Sequence, residues 1–131
     1  MLKRDITYEN FNGELITETY YFNLTKSEIL NLDASYSDGL NGAIQKIIDA
    51  KDSKALIDQF QKLILLAYGI KSEDGKRFIK NDTLREEFSQ SAAYDVLFME
   101  LATNDALAAE FMLGIMPKDM AQAAQKELKG Q

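Results

Sequence analysis

The periodicity of this chain changes once, and that change constrains its fold more than any other feature. Residues 2 to 8 set Leu2, Arg4, Ile6 and Tyr8 against Lys3, Asp5 and Thr7, the two-residue alternation of a strand with one covered face. Asn12-Gly13 follows, then a Thr- and Tyr-rich run from Glu14 to Phe22. Asn-Gly between two such runs is the strongest short hairpin signal, since both residues tolerate the positive φ of a tight turn. From Thr25 onward the apolar residues recur every three or four positions instead. The expected class is therefore α+β and predominantly α-helical, with an N-terminal β-hairpin followed by five or six short helices.

The helical part is punctuated by its own start and stop signals. Thr25-Lys26-Ser27-Glu28 is a capping box opening a short helix to about Leu32, with Ile29, Leu30 and Leu32 apolar. A second helix is expected from about Gly39 to Ala50, burying Leu40, Ala43, Ile44, Ile47 and Ile48. A third begins near Asp52-Ser53 and carries Leu56, Phe60, Leu63, Ile64 and Ala67 on one stripe. Its end, LILLAY, is apolar all round, which marks a central buried helix stopped by Gly69. Glu73-Asp74-Gly75 is turn chemistry, so Ile70 to Ile79 reads as a second small hairpin or a loop.

Asn81 or Asp82 then caps a helix through Phe88, and Ser89-Gln90-Ser91 breaks and recaps the chain. The helix from Ala92 to Ala102 presents Tyr94, Leu97, Phe98 and Leu101 on one face. Thr103-Asn104-Asp105 caps a last one with Leu107, Phe111 and Ile115. Pro117, the single proline, ends that helix or opens another. Residues 1–117 are read as one domain, and residues 118–131 as a marginal helix or frayed C-terminal tail.

Composition removes whole classes of chemistry. The chain has 131 residues, 46% of them hydrophobic, enough for one domain that buries roughly two-thirds of its unfolded surface. It contains no Cys and no His, so disulfides, the common zinc sites and the Ser-His-Asp and Cys-His arrangements are all excluded. A net charge of -6 disfavours nucleic acid, whose phosphates demand a surplus of Lys and Arg. The start MLKRDITYENF lacks the apolar stretch of a secretory signal. The longest apolar run, Leu63 to Tyr68, falls far short of the roughly 20 residues of a membrane span. The expectation is a cytoplasmic non-enzyme without cofactor or metal, and with neither nucleic acid nor membrane as partner.

The charged candidates for chemistry are weak. Glu86, Glu87, Asp95 and Glu100 lie on neighbouring helices, where paired carboxylates serve acid–base or metal work. Glu86 and Glu87 are adjacent, hence about 100° apart on a helix, and read better as solvated outer faces. Lys71, Lys76, Arg77, Lys80 and Arg85 form a local cationic cluster, but Glu73, Asp74 and Asp82 are interleaved with it. Ser72 to Gly75 has one glycine and no GK[ST], so it is not a phosphate loop.

The apolar surplus of the last two helices is the stronger signal. Val96 and Met99 sit beside the Tyr94 stripe, and Met112 and Met116 flank the Phe111 stripe. Methionine is flexible and polarizable, suited to surfaces that accept varied apolar helices. Val96, Met99, Met112 and Met116 are accordingly the candidate partner-binding residues, with closure of the core or a homo-oligomer contact as the alternative.

Several segments together resemble the tail assembly chaperones of long-tailed, siphovirus-type bacteriophages and prophages. They are YFNLTKSEI (Tyr21 to Ile29), LILLAYGIKSEDGKRFIKND (Leu63 to Asp82), LREEFSQSAAYDVLFMELA (Leu84 to Ala102) and AAEFMLGIMP (Ala108 to Pro117). The resemblance spans roughly residues 2 to 117, and its specificity lies in the order and spacing of the segments. It implies a non-enzymatic, mainly helical protein that binds the tape measure protein in the host cell cytoplasm. There it keeps that long, apolar, helical client soluble until tail-tube subunits polymerise around it. It also implies self-association and absence from the finished virion, and makes the tail-tube protein a second candidate partner. The alternative is a structural tail or connector protein retained in the virion.

Overall fold

The computed structural model describes residues 1–35, 39, 42 and 54–122. The N-terminal hairpin is present as β1 (Leu2–Glu9) and β2 (Leu15–Phe22), antiparallel with every residue of one opposite a residue of the other. Leu2, Arg4, Ile6 and Tyr8 face the body with Phe22, Tyr20, Glu18 and Ile16 opposite them. The other face carries side-chain rungs between the Thr7 and Thr17 hydroxyls at 2.8 Å and from Thr19 Oγ1 to Asp5 at 2.6 Å.

The turn is longer than Asn-Gly alone predicts. Phe11, Asn12 and Gly13 form a three-residue loop closed by Asn10 N–H donating to the Glu14 carbonyl, with Gly13 at φ 81. Asn10 Oδ1 accepts from the backbone N–H of both Asn12 and Glu14 at 2.9 Å, so the side chain of Asn10 fixes the tip.

Helix α1 (Lys26–Ser35) opens on the expected capping box: Glu28 N–H donates to Thr25 Oγ1 at 3.2 Å and Thr25 N–H to Glu28 Oε1 at 2.9 Å. The helix expected over residues 39–50 lies outside the described residues apart from 39 and 42. Helix α2 (Lys54–Ala67) buries Phe60, Leu63, Ile64 and Ala67 and leaves Leu65 and Leu66 half-buried. Leu56's side chain is outside the description.

Gly69 does not stop that helix in the left-handed way expected. The helix ends at Ala67 and the chain passes straight into β3 (Tyr68–Lys71), where Gly69 has no positive φ and pairs with Tyr21. Its lack of a side chain serves a close approach. A Cβ there would lie 2.7 Å from Phe78 Cε2 and 2.9 Å from the Ile79 carbonyl oxygen. Strand β4 (Phe78–Ile79) returns through a turn with Gly75 at φ 74, and the four strands form one sheet in the order β1-β2-β3-β4. The second hairpin is therefore welded to the first through Tyr21–Gly69 and Phe22–Tyr68.

The remaining helices start where the polar caps predict. Asn81 Oδ1 accepts from Leu84 N–H to open α3 (Asp82–Ser89), Ser91 Oγ from Tyr94 N–H to open α4 (Ala92–Ala102), and Asn104 Oδ1 from Leu107 N–H to open α5 (Asp105–Gly114). After Pro117 residues 118–122 are helical, and Met120 and Ala121 pack against the core. Pro117 opens this segment, its carbonyl accepting from Ala121 N–H at 2.8 Å.

The core forms around Phe22. Its ring meets Phe88, Phe111 and Tyr68, with the Phe111 ring edge-on at 5.1 Å and Tyr68 stacked on Phe88 at 4.2 Å. Such aromatic pairs contribute roughly 0.5–1.5 kcal/mol each beyond their buried area. No polar or charged residue is buried among the described residues.

Candidate partner-binding surface

Helix α4 is positioned by contacts on both flanks. Ala93, Tyr94, Leu97 and Leu101 face inward, while Phe98 meets the Phe60 ring of α2 at 6.0 Å. On the opposite flank Arg4 of β1 donates to Glu100 at 2.9 Å. One turn before Glu100, Val96 shares that flank, and Met99 points away from the core. Both are exposed, at 37% and 51%.

Met112 and Met116 do not join them. They are 0% and 4% exposed and belong to the core. The cause is how α5 is seated. Phe111 packs on Phe22, and Leu24 N–H donates to the Ile115 carbonyl at 2.7 Å, drawing the end of α5 onto the loop after β2. This turns Ala108, Phe111, Met112, Ile115 and Met116 inward and leaves Leu107, expected in the stripe, half-buried. The four candidate residues thus split into an outer pair and an inner pair.

Other apolar side chains reach solvent that the sequence pattern did not single out as binding residues. Phe11 and Leu15 at the hairpin tip are 86% and 77% exposed, and Leu30 and Ile70 are also exposed. Leu15 stood on the polar phase of its strand, opposite Glu9, so its exposure was legible. Phe11 carried only its place beside Asn12-Gly13.

The charged candidates are dispersed. Glu86, Glu87, Asp95 and Glu100 are all exposed, and only Glu100 has an ion-pair partner described, Arg4. Among the described residues no group of three or more Asp or Glu is arranged to hold a metal ion. The cations separate too. Lys71 lies over the Tyr21 ring at 5.1 Å, and Lys80 donates at 2.7 Å to both the Asn23 carbonyl and Glu28. Burial disfavours the charge on Lys80 and outweighs the Glu28 carboxylate, so its pKa falls below the ordinary lysine value. Burial also opposes ionisation of Glu28, but the bonds from Lys80 and Thr25 prevail and hold its carboxyl below the usual range.

Arg85 belongs to a different feature. A groove of about 520 Å³ runs between α2 and α3, floored by Leu65 and Leu66 and edged by Asp58, Gln61, Lys62, Arg85, Glu86 and Ser89. Arg85 Nη1 reaches Asp82 at 3.3 Å, whereas its buried Nε has no acceptor among the described residues. The Ser72–Gly75 turn spends its own donors: Gly75 N–H bonds the Ser72 carbonyl and Lys76 N–H bonds Asp74.

Among the described residues the charges are dispersed, the core is apolar, and a few apolar side chains reach solvent. A family model described as phage tail assembly chaperone matches residues 1–131, the whole chain. The chain belongs to the phage tail assembly chaperone family. No curated protein and no solved structure matches it. Membership of this family implies a protein partner in tail assembly. Among the described residues no helix is long and apolar enough to cross a membrane.

Proposed function

We propose that this chaperone binds the tape measure protein and keeps it soluble during tail assembly in the host cytoplasm, without catalysing a reaction. The observation that carries the reading is the exposure of Val96 and Met99 side by side on the outer flank of α4, within a chain of this family. A long amphipathic client aggregates through its apolar stripes. A small protein of net charge -6 that covers those stripes adds charge to the complex and opposes that aggregation. Because the cover must later come off, single contacts should be weak, with several copies along one client supplying the avidity.

The test is co-expression with the tape measure. The double variant Val96→Glu/Met99→Glu is expected to keep its circular dichroism spectrum while the soluble fraction of the client drops several-fold. An unchanged soluble fraction removes this face from the reading. Mass spectrometry of purified virions should find the chain missing; its presence at stoichiometric levels would favour a structural tail or connector protein.

A further inference from the structure

The four-stranded sheet has one long open edge. In the order β1-β2-β3-β4, strand β4 closes one side with two residues, whereas β1 ends the other with eight. Which backbone groups β1 leaves open follows from the ladder. Asn10 N–H donates to the Glu14 carbonyl, so that pair is hydrogen-bonded. Antiparallel pairs alternate, and Tyr8–Ile16, Ile6–Glu18, Arg4–Tyr20 and Leu2–Phe22 therefore exchange bonds as well. At the other end of β2, Asn23 N–H donates to the Ala67 carbonyl, which turns the odd-numbered residues of β2 toward β3 and fixes the same phase. Lys3, Asp5, Thr7 and Glu9 thus aim their N–H and C=O groups away from the sheet, and no other described segment bonds to them. Such a row of unpaired groups is a template for one more strand.

Helix α4 gives this edge a floor. It lies along β1 on the inner face. Tyr94 and Phe98 turn one of its flanks to Phe88 and Phe60, and Phe88 itself meets Tyr20 of β2 and Tyr68 of β3. The other flank, with Val96 and Glu100, therefore lies on the side of the free edge, and the Arg4–Glu100 bond ties it to β1. A strand laid about 4.8 Å beyond β1 sets every second side chain toward that flank, where Val96 and its neighbour Met99 are exposed. The alternate side chains face outward beside Lys3, Asp5, Thr7 and Glu9, all exposed. There the acids outnumber the base, and neither Asp5 nor Glu9 has an ion-pair partner among the described residues. From Asp5 to Thr25 the chain supplies no Lys or Arg of its own. Opposite charges on adjacent strands attract, so the missing base is one that an added strand can bring.

We infer that the protein partner is held as a fifth strand: an extended segment pairs with Lys3, Asp5, Thr7 and Glu9 of β1, with apolar residues over Val96 and basic residues beside Asp5 and Glu9. The inference rests on the proposed function for its partner, and goes beyond it in fixing the backbone form and residue pattern of the bound segment. Main-chain bonds supply affinity whatever the side chains, so one edge can take many segments of a long client.

Residue-resolved amide hydrogen exchange tests it, on the chain alone and on the complex co-purified with the tape measure. In the chain alone Lys3, Asp5, Thr7 and Glu9 should exchange quickly, while Arg4, Ile6 and Tyr8 are protected by β2. In the complex the odd-numbered set should slow about tenfold or more. Protection of that set in the chain alone means that the edge is already filled, by a second copy or by the chain itself, and overturns the inference. Fast exchange of the set in the complex overturns it too. Thr7→Pro removes one edge donor and puts a ring in the path of the new strand, while every β1–β2 backbone bond stays. Thr7→Val loses the hydroxyl contact with Thr17 but keeps the donor. With an unchanged circular dichroism spectrum, Thr7→Pro should make the complex dissociate about tenfold faster on dilution, and Thr7→Val should not. Equal rates sink the inference, and if Thr7→Pro fails to fold, exchange in the unmodified chain decides alone. Absence of any complex removes the proposed function and this inference with it. A complex that needs Val96 and Met99 but leaves the edge amides fast removes the inference only.

Discussion

Helices α4 and α5 are alike in length, cap and apolar content, yet they treat methionine in opposite ways. In α4 Met99 lies outside, and in α5 Met112 and Met116 lie at the centre of the core. The difference comes from what each helix rests on. Helix α4 lies along β1, where Ile6 and Tyr8 require only one stripe of cover. Helix α5 packs on Phe22 and is pulled inward by the Leu24–Ile115 bond, so the partners outside the helix choose which flank is buried. An apolar surplus in a helix shows that something will be covered, and its neighbours decide which residues.

The contrast is most easily broken at Met112. Met112→Glu places a carboxylate at a fully buried position of the apolar core, and is expected to cost about 3–5 kcal/mol or abolish cooperative folding, seen as a lost thermal transition. Met99→Glu should change stability by less than about 0.5 kcal/mol in the same assay. Comparable losses at both positions would mean that α4 is as enclosed as α5.

The two caps sharpen it at intermediate size. Ser91→Ala and Asn104→Ala each remove a side-chain acceptor from a helix start and should each cost about 1 kcal/mol by denaturant titration. Local amide exchange should then rise in α4 for the first and α5 for the second, without spreading across the pair.

The smallest effect is set by pH. Glu28, held below its ordinary 4.5, lends stability that is complete above that value and lost as pH falls through the lower folded one. Its Lys80 bond braces the Asn23–Glu28 loop, whose Leu24 N–H holds the end of α5. Acidification should therefore lower amide protection factors, which allow for the slower intrinsic exchange in acid, at the C-terminal end of α5 before α4, and Glu28→Gln should flatten that dependence.

Much of the fold was legible. Capping residues act through bonds to their own backbone, so Thr25, Asn81, Ser91 and Asn104 announced helix starts that the structure reproduces. The strand alternation around Ile6 likewise gave the buried face. What escaped the sequence depends on distant neighbours. Gly69 looked like a helix stop because the Phe78 ring that requires it is nine residues away in the chain and meets it only across the β3–β4 pair. Met112 and Met116 looked like flank residues because the partners of α5, Phe22 and Leu24, come from the other end of the chain. The dispersal of Lys71, Lys80 and Arg85 followed the same rule, since Tyr21, Glu28 and the groove are set by tertiary contacts.

The sulfur atoms of the two helices also differ in what can reach them. Dilute peroxide should convert the Met99 thioether to its sulfoxide readily and spare Met112 and Met116 until the chain opens. One added oxygen at a single residue, weighed by peptide mass, thus reports whether α4 is shielded by a bound molecule, while the two sheltered sulfurs keep time for unfolding.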